Sequence, residues 1–331
     1  MSENSYIIQF PDLMAGKKIM YVHGFGSSAQ TTTVTRLQQT FPRSKVIAYD
    51  MPIEPHEAIA LLKEKCQTDR PDLIIGTSMG GMYAEQLNGF DRILINPALQ
   101  IADTMQEHGL TGKQTFFNPR ADGVQEFYVD KPLVKRYREV SEQRFAAVDE
   151  EERKRVWGLF GDRDELVHTY DLFLEHYPQA VRFHGEHRIS EHAFYRAVVP
   201  VVRWIDDRQE KREREIVYIA WETMRDANGK AASCLRKAFC RLIEKYQVYI
   251  VCPAPATQPS FLGEAQDWIA DELDAPTHNH IVFTNRCDLL YGDFLVGTSR
   301  HKNFTGTLIE YGSDEMKTWE HIMIFFERLN G

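Results

Sequence analysis

The chain has 331 residues, of which 43% are hydrophobic and 26% charged, a composition typical of a globular protein with room for two domains. Its net charge of −9 disfavours nucleic acid and acidic membrane surfaces as partners. The five cysteines form no CxxC pair, so neither disulfides nor a zinc site are expected. The start of the chain lacks a secretory-signal pattern and no run reaches membrane-spanning length, so a cytoplasmic location is expected.

Short apolar runs alternate with helical patterns over residues 18–96. The runs KIMYVHGF, SKVIAYD, DLIIGTS and RILINPA predict buried strands, and residues 32–39, 56–66 and 80–88 predict the helices between them. Continuous apolar strands separated by helices indicate a parallel sheet covered on both faces. The predicted fold class is α/β.

Residues 99–152 break this pattern with polar, aromatic-containing helices and turns, before the buried strand RVWGLFGD resumes the sheet. An insertion at that point is predicted to lie over the C-terminal edge of the strands, where open α/β sheets bind ligands. We therefore expect a helical lid, whose aromatic residues either line an acyl pocket or pack under a loop: Phe116, Phe117, Phe127 and Tyr128.

A dense block of charges, DDRQEKRERE, separates two α/β patterns. Because the strand and helix order restarts after it, the predicted domains are residues 1–208 and 209–331. The second is expected to be a smaller Rossmann-like α/β domain that opens with a strand at 216–220 and closes with a helix at 315–329.

The stretch DLIIGTSMGGMYAEQL places Ser78 between a predicted strand and a predicted helix. This is the strand, turn, helix arrangement of a nucleophile elbow, and Gly76 and Gly80 leave the turn free of Cβ atoms. The competing interpretation is a small residue at a tight turn. Backbone N–H donors for an oxyanion are expected at Met79, after the serine, and at Phe25, in the early loop YVHGFGSS.

A nucleophilic serine needs a histidine base and an acid that orients the base. The loop after VWGLFGDRDELV offers Asp164, with Asp162 as the alternate. The stretch VRFHGEHRISEHAF offers His187, with His192 as the alternate.

Together the motifs YVHGFGSS, GTSMGGMYA, INPAL, LFGDRDELV and GEHRI resemble the YqiA-like esterases of the α/β-hydrolase superfamily over residues 1–208. The resemblance implies a serine carboxylesterase for small acyl esters, with Ser78, Asp164 and His187 as its triad and with neither cofactor nor metal. A thioesterase or amidase with the same triad and a non-catalytic binding protein are the alternatives.

Residues 212–331 resemble the deoxyribonucleotidase branch of the haloacid-dehalogenase-like phosphatases, through IVYIAWETMRDANG, KYQVYIVCPAPATQPS and HIVFTNRCDLLYGDFLVGTS. In that family two aspartates follow the first strand; here Ala220 and Glu222 take their positions. The other expected functional residues are also replaced, at Cys252 or Pro253, Cys287, Gly297 and Thr298. The resemblance therefore implies a catalytically dead phosphatase domain, with homo-oligomer formation, ligand binding or cover for the first domain as its role. Asp226 and Asp293 remain, either as weak cation ligands or as surface caps.

Overall fold

The computed structural model describes residues 8–329. The chain divides into two compact units, with the boundary between Asp206 and Asp207, in the last turns of a helix that runs from Val199 to Gln209. In the described part of the chain no helix has both the length and the apolar character needed to cross a membrane.

In residues 8–206, the described part of the first unit, there are eight strands. They are β1 (Lys18–Val22), β2 (Lys45–Ala48), β3 (Leu73–Thr77), β4 (Arg92–Ile95), β5 (Gly112–Thr115), β6 (Glu126–Val129), β7 (Val156–Gly161) and β8 (Ala180–Phe183). Its helices are α1 (Thr32–Thr40), α2 (Pro55–Asp69), α3 (Met79–Glu85), α4 (Ile101–Glu107), α5 (Lys131–Ser141), α6 (Glu150–Arg155), α7 (Tyr170–Leu174), α8 (Glu191–Ala193) and α9 (Val199–Gln209).

Six of these strands form one sheet in the order β2-β1-β3-β4-β7-β8, and all five pairings are parallel. Residues of β1, β3 and β4 are almost all buried, as expected when both faces of a parallel sheet are covered. The predicted α/β class is confirmed. Because the strands are parallel, the loops after β1, β3, β4, β7 and β8 meet at one edge of the sheet.

The insertion between β4 and β7 differs in part from its prediction. Helices α4, α5 and α6 are present, but β5 and β6 form an antiparallel hairpin where the sequence predicts only helices and turns. The hairpin strands alternate between exposed residues and residues that are partly or fully buried, and ten residues join them. That length and polarity hide the period-two signal of a short strand pair.

Up to residue 329, the second unit contains a five-stranded parallel sheet and three α-helices that begin within it. Its elements are β9 (Ile216–Ala220), α10 (Leu235–Lys245), β10 (Gln247–Cys252), α11 (Phe261–Leu273), β11 (Ile281–Phe283), β12 (Phe294–Gly297), β13 (Thr307–Glu310) and α12 (Trp319–Leu329). The closing helix begins at Trp319 rather than at residue 315, because residues 312–316 form a turn in which the Gly312 N–H donates to the Met316 carbonyl.

The sheet order β11-β10-β9-β12-β13 reads 3-2-1-4-5 within this unit, as in doubly wound folds. The helices, however, all contribute to one hydrophobic cluster on one face. The other face carries a smaller cluster built around Tyr218, Leu295 and Phe304. This differs from the Rossmann-like expectation, in which helices cover both faces, because the connections β11–β12 and β12–β13 contain only loops and single 3₁₀ turns.

Candidate functional site

Ser78 lies in a strained turn between β3 and α3. Its φ of +53° and ψ of −121° belong to a region that L-residues rarely adopt, and such strain costs about 1–3 kcal/mol. The turn is held in place by the Ser78 N–H, which donates to the Ile95 carbonyl at 2.9 Å. A Cβ at Gly80 would overlap the Val22 carbonyl oxygen, and one at Gly76 would overlap the Gly80 carbonyl. Glycine at both positions therefore lets α3 approach the sheet closely enough to form the elbow.

His187 and Asp164 complete a continuous row of hydrogen bonds with Ser78. The Nε2 atom of His187 lies 3.0 Å from the Ser78 Oγ, and its Nδ1 atom lies 2.8 Å from the Asp164 Oδ2. Asp164 follows β7 and His187 follows β8, so both side chains reach the sheet edge at which β3 ends. The structure thus brings together three residues that are separated by up to 109 positions in the chain.

The Asp164 carboxyl is buried, with 8% of the residue exposed. Its Oδ1 accepts hydrogen bonds from the N–H groups of Leu166 at 2.8 Å and Val167 at 3.0 Å. Burial raises the pKa of this carboxyl, but the bonds from His187 and from the two backbone N–H groups outweigh it, and the pKa lies below its ordinary value. Asp164 is therefore ionised at neutral pH, with Oδ2 turned to the His187 ring.

The alternate acid, Asp162, contacts a different histidine. Its Oδ2 lies 2.6 Å from the Nδ1 atom of His184, and its Oδ1 accepts the Gly185 N–H at 3.0 Å. The alternate base, His192, lies on the short helix α8 and is exposed. The hydrogen-bonded row that includes Ser78 is built from Asp164 and His187.

The loop after β1 lies directly against Ser78. A Cβ at Gly24 would be 3.2 Å from the Ser78 Cβ, so the glycine allows the loop to pass this close. Phe25 is the next residue, and Met79 begins α3, where the first N–H groups have no partner within the helix. Both predicted oxyanion donors therefore belong to backbone that borders the serine.

His23 orients this loop, and sequence reasoning missed it. The residue is 2% exposed; its Nε2 accepts the Met51 N–H at 3.0 Å, which leaves Nδ1 to donate to the Gly24 carbonyl at 2.9 Å. Burial lowers the pKa of His23 below its ordinary value, so the ring stays neutral. In the trans Gly24–Phe25 peptide the C=O and N–H point in opposite directions, so the bond to the carbonyl also sets the direction of the Phe25 N–H.

The hairpin of the insertion contacts the same loop. The Phe117 N–H donates to the Gly26 carbonyl at 2.7 Å, and the Asn118 side chain donates to the Ser27 Oγ at 3.0 Å. The ring of Phe25 packs edge-on against Phe127 at 5.3 Å. Phe127 in turn contacts Phe116 at 4.5 Å. Two of the aromatic residues considered for an acyl pocket or for packing, Phe116 and Phe127, thus form one cluster with Phe25 beside its loop, and we call these three rings the aromatic cluster.

Asn96 is a second residue that sequence reasoning missed. It follows β4 directly and is 1% exposed, with a φ of +44°. The signal available in the sequence was a polar residue immediately after a buried strand, at the same sheet edge as Ser78. Its partners could not be read from the sequence, because they lie 65 and about 90 residues further along.

In the second unit, the residues that the sequence resemblance compared with phosphatase motifs lie near the C-terminal edge of the sheet. Ala220 ends β9 and is fully buried, and Glu222 follows it. The Glu222 Oε1 lies 2.6 Å from the His301 Nε2 and accepts the Thr298 hydroxyl at 3.2 Å. Burial, with the negative charge of Glu222, raises the pKa of the Cys252 thiol to about 12, so that thiol is protonated and unreactive.

Asp226 and Asp293, considered as weak cation ligands or surface caps, both bind backbone groups. The Asp226 Oδ1 accepts the N–H groups of Asn228 and Lys230, and the Asp293 Oδ2 accepts the Ile216 N–H at 2.7 Å. Ile216 begins β9, so Asp293 lies at the opposite edge of the sheet from Ala220. Over residues 8–329 no group of three His, Cys, Asp or Glu side chains is placed to hold a metal ion.

Comparisons with known proteins concern the first unit. The family model described as "Uncharacterised protein family (UPF0227)" matches residues 18–198. A UPF0227 protein of Shewanella oneidensis is 26% identical over 180 residues, which cover 50% of this chain and 98% of the relative. A UPF0227 protein of Shewanella sp. (strain ANA-3) is 33% identical over 98 residues, 27% of this chain and about half, 55%, of the relative.

Two solved structures are similar at a lower level. A soluble variant of monoglyceride lipase from Saccharomyces cerevisiae has a TM-score of 0.41 and 13% identity, covering 62% of this chain and 98% of the lipase. Est1E from Butyrivibrio proteoclasticus has a TM-score of 0.38 and 16% identity, covering 64% of this chain and 91% of Est1E. Similarity at this level carries no inference about activity.

Proposed function

We propose that this chain, which belongs to the uncharacterised protein family UPF0227, is a serine hydrolase of the α/β-hydrolase type that cleaves small acyl esters. One observation carries the proposal. The ionised, buried Asp164, the His187 ring and the Ser78 hydroxyl form a continuous row of hydrogen bonds of 2.8 and 3.0 Å, and the serine sits on a strained elbow. An acid that orients a base beside a partly buried hydroxyl is an arrangement that can activate a serine for acyl transfer.

In the proposed mechanism Asp164 holds the proton of His187 on Nδ1, which leaves Nε2 free to accept the Ser78 proton. The serine Oγ attacks the ester carbonyl carbon, and the electron pair of the C=O bond moves to its oxygen. The N–H groups of Phe25 and Met79 stabilise that oxyanion. When the tetrahedral intermediate collapses, the alcohol leaves with the proton from His187, and water then releases the acid from Ser78 by the same steps.

The aromatic cluster supports an ester with an apolar acyl or alkyl group. Its rings lie beside the loop that carries the Phe25 N–H, so an apolar substituent on the bound carbonyl would have aromatic surface to bury. Burial of each methylene contributes about 0.8 kcal/mol. We expect turnover of short-chain aryl esters to increase as the chain grows from two to about four carbons.

For the second unit we propose a haloacid-dehalogenase-like domain that has lost phosphatase chemistry. The support is Ala220 at the end of the first strand, whose methyl group cannot attack phosphorus, and Glu222, whose carboxylate is engaged by His301 and Thr298. We expect the full chain with Mg²⁺ to release no phosphate from deoxynucleoside monophosphates. Release above a heat-inactivated control would contradict this proposal.

The test of the esterase is hydrolysis of p-nitrophenyl esters by the full chain and by Ser78→Ala, with Ser44→Ala as a matched control. Ser44 lies just before β2, and its hydroxyl donates to the Phe41 carbonyl, remote from the sheet edge that carries Ser78. We expect Ser78→Ala to lose more than about 10³-fold in kcat/KM, and Ser44→Ala to retain wild-type activity. Full activity in a folded Ser78→Ala protein would refute the proposal.

A further inference from the structure

We propose that Asn96 is a positioning residue that sets the distance between His187 and Ser78, an inference that rests on the proposed function. Asn96 directly follows β4, in the centre of the six-stranded sheet. All three triad residues lie in loops at the edge where β4 ends. The Asn96 side chain lies between the loops that carry Asp164 and His187. The end of β4, through the Ile95 carbonyl, binds the turn that carries Ser78.

The Asn96 side chain uses both of its polar atoms on these loops. The Nδ2 group donates to the Glu186 carbonyl and to the His187 carbonyl, each at 3.0 Å. The Oδ1 atom accepts the Gly161 N–H at 2.7 Å. This orientation of the amide follows from its partners, since a flipped amide would place an oxygen against two carbonyl oxygens. One side chain therefore binds both the loop of the base and the strand end that leads to the acid.

The backbone next to Asn96 holds the nucleophile. The Ser78 N–H donates to the carbonyl of Ile95, the preceding residue, at 2.9 Å. The Asn96 N–H donates to the Leu159 carbonyl of β7 at 2.8 Å. The elbow and the base loop are thus both attached to two consecutive residues, Ile95 and Asn96, and the His187–Ser78 distance depends on this attachment.

The acid and base loops also bind each other without Asn96. The Arg163 N–H donates to the Gly185 carbonyl at 2.9 Å, and the Asp162 carboxylate accepts the Gly185 N–H. Loss of the Asn96 amide should therefore leave Asp164 and His187 together but allow the pair to shift relative to Ser78. Misplacement of a reacting group by about 1 Å can cost about 100-fold in rate.

The residue type fits this role. Asn96 has a φ of +44°, in the left-handed region that asparagine, aspartate and glycine tolerate better than other residues. Its side chain is almost fully buried, so its hydrogen bonds do not compete with water. Substitution by aspartate keeps the shape, the backbone preference and the acceptor for Gly161, but replaces the donor to the base loop by a carboxylate oxygen.

The experiment compares the wild type, Asn96→Asp, Asn96→Gly and the control Tyr177→Phe. The control removes another buried hydrogen bond, from the Tyr177 hydroxyl to the Glu85 carboxylate at 2.6 Å, at the other end of α3 from Ser78. The measurements are the rate of covalent labelling by a fluorophosphonate and kcat and KM for an aryl ester between pH 6 and 9. Circular dichroism and thermal unfolding confirm that each variant is folded.

We expect Asn96→Asp to label about 100-fold more slowly than wild type at pH 8, with kcat reduced and KM changed by less than about threefold. The difference in labelling rate and kcat between Asn96→Asp and the wild type should shrink as pH falls, because a protonated carboxyl can again donate to one carbonyl. Asn96→Gly, which accommodates the backbone and adds no charge, should show the same loss with no recovery at low pH. If Asn96 had only a structural role, its variants would be less stable but would show no pH-dependent recovery of labelling rate. This is the result expected for the control Tyr177→Phe.

The outcomes separate this inference from the proposed function. If the wild type is labelled and both Asn96 variants react within about threefold of it, the positioning role is overturned and the esterase proposal is not. If the folded wild type is not labelled, the proposed function fails, and the positioning role fails with it.

Discussion

Replacement of Asp164 by asparagine should remove activity by reversing the tautomer of His187. The Asp164 Oδ1 accepts two backbone N–H groups, from Leu166 and Val167. In Asp164→Asn the amide oxygen will keep these two partners, because an NH₂ group cannot accept them. The NH₂ group is then turned to the His187 Nδ1 atom, 2.8 Å away. Nδ1 must accept, so the ring proton moves to Nε2, which can no longer take the proton of Ser78.

The expected loss is about 10⁴-fold in kcat, the size seen when an orienting acid is exchanged for its amide in a serine triad. The loss in free energy of unfolding should be modest, because two of the three hydrogen bonds to the carboxylate persist. Only the charged bond to His187 is weakened, and such a bond contributes about 1.5–3 kcal/mol. The assay is hydrolysis of an aryl ester together with urea unfolding, so that catalytic and structural losses are measured on the same protein.

Asp162→Asn is the matched control, because this carboxyl is also hydrogen-bonded to a histidine and to a backbone N–H. We expect it to retain kcat within about tenfold, since His184 is not bonded to the serine. A folded Asp164→Asn protein with kcat within tenfold of wild type would refute the reasoning, and loss of activity only in Asp162→Asn would assign the acid to Asp162.

Two further predictions follow from packing and burial. Gly80→Ala places a methyl group against the Val22 carbonyl and should destabilise the first unit by about 3 kcal/mol or more, measured by thermal unfolding; an unchanged midpoint would show that α3 can move away from β1. In the second unit, burial lowers the pKa of His278 to about 4, and its Nε2 accepts from Asn279. The unfolded state therefore binds a proton that the folded state rejects, and stability should fall with a slope of up to about 1.4 kcal/mol per pH unit as pH drops from about 6.5 to 4. Hydrogen exchange of β10 peptides measures this, and an equal slope in His278→Gln would contradict it.

Much of the six-stranded parallel sheet, with its connecting helices, could be predicted from local sequence. Runs such as DLIIGTS are apolar enough to identify buried strands, and β3 falls within one residue of its predicted bounds and α3 within three. The carboxyl ends of parallel strands share an edge, so residues in the loops after β3, β7 and β8 were expected to meet there. His187 is hydrogen-bonded to Ser78 through Nε2 and to Asp164 through Nδ1, so the three side chains do lie together at this edge.

Other features depend on partners that are distant in the chain. The hairpin strand β5 is polar (GKQT), and its pairing with β6 is not encoded in its local pattern. His23 binds the Met51 N–H, 28 residues away, and Asn96 binds loops 65 to 91 residues away. In such cases the sequence shows the side chain but not its hydrogen-bond partner. The roles of His23 and Asn96 therefore become visible only in the folded structure.

The most direct test of the central claim is intact-mass and peptide analysis of the full chain after reaction with a fluorophosphonate. A serine activated by a base reacts covalently with this probe, whatever the natural substrate. We predict one adduct per chain, located on Ser78, and no adduct in Ser78→Ala or His187→Ala. No adduct on the folded wild type, or an adduct that persists in Ser78→Ala, would contradict the account of this chain as a serine hydrolase.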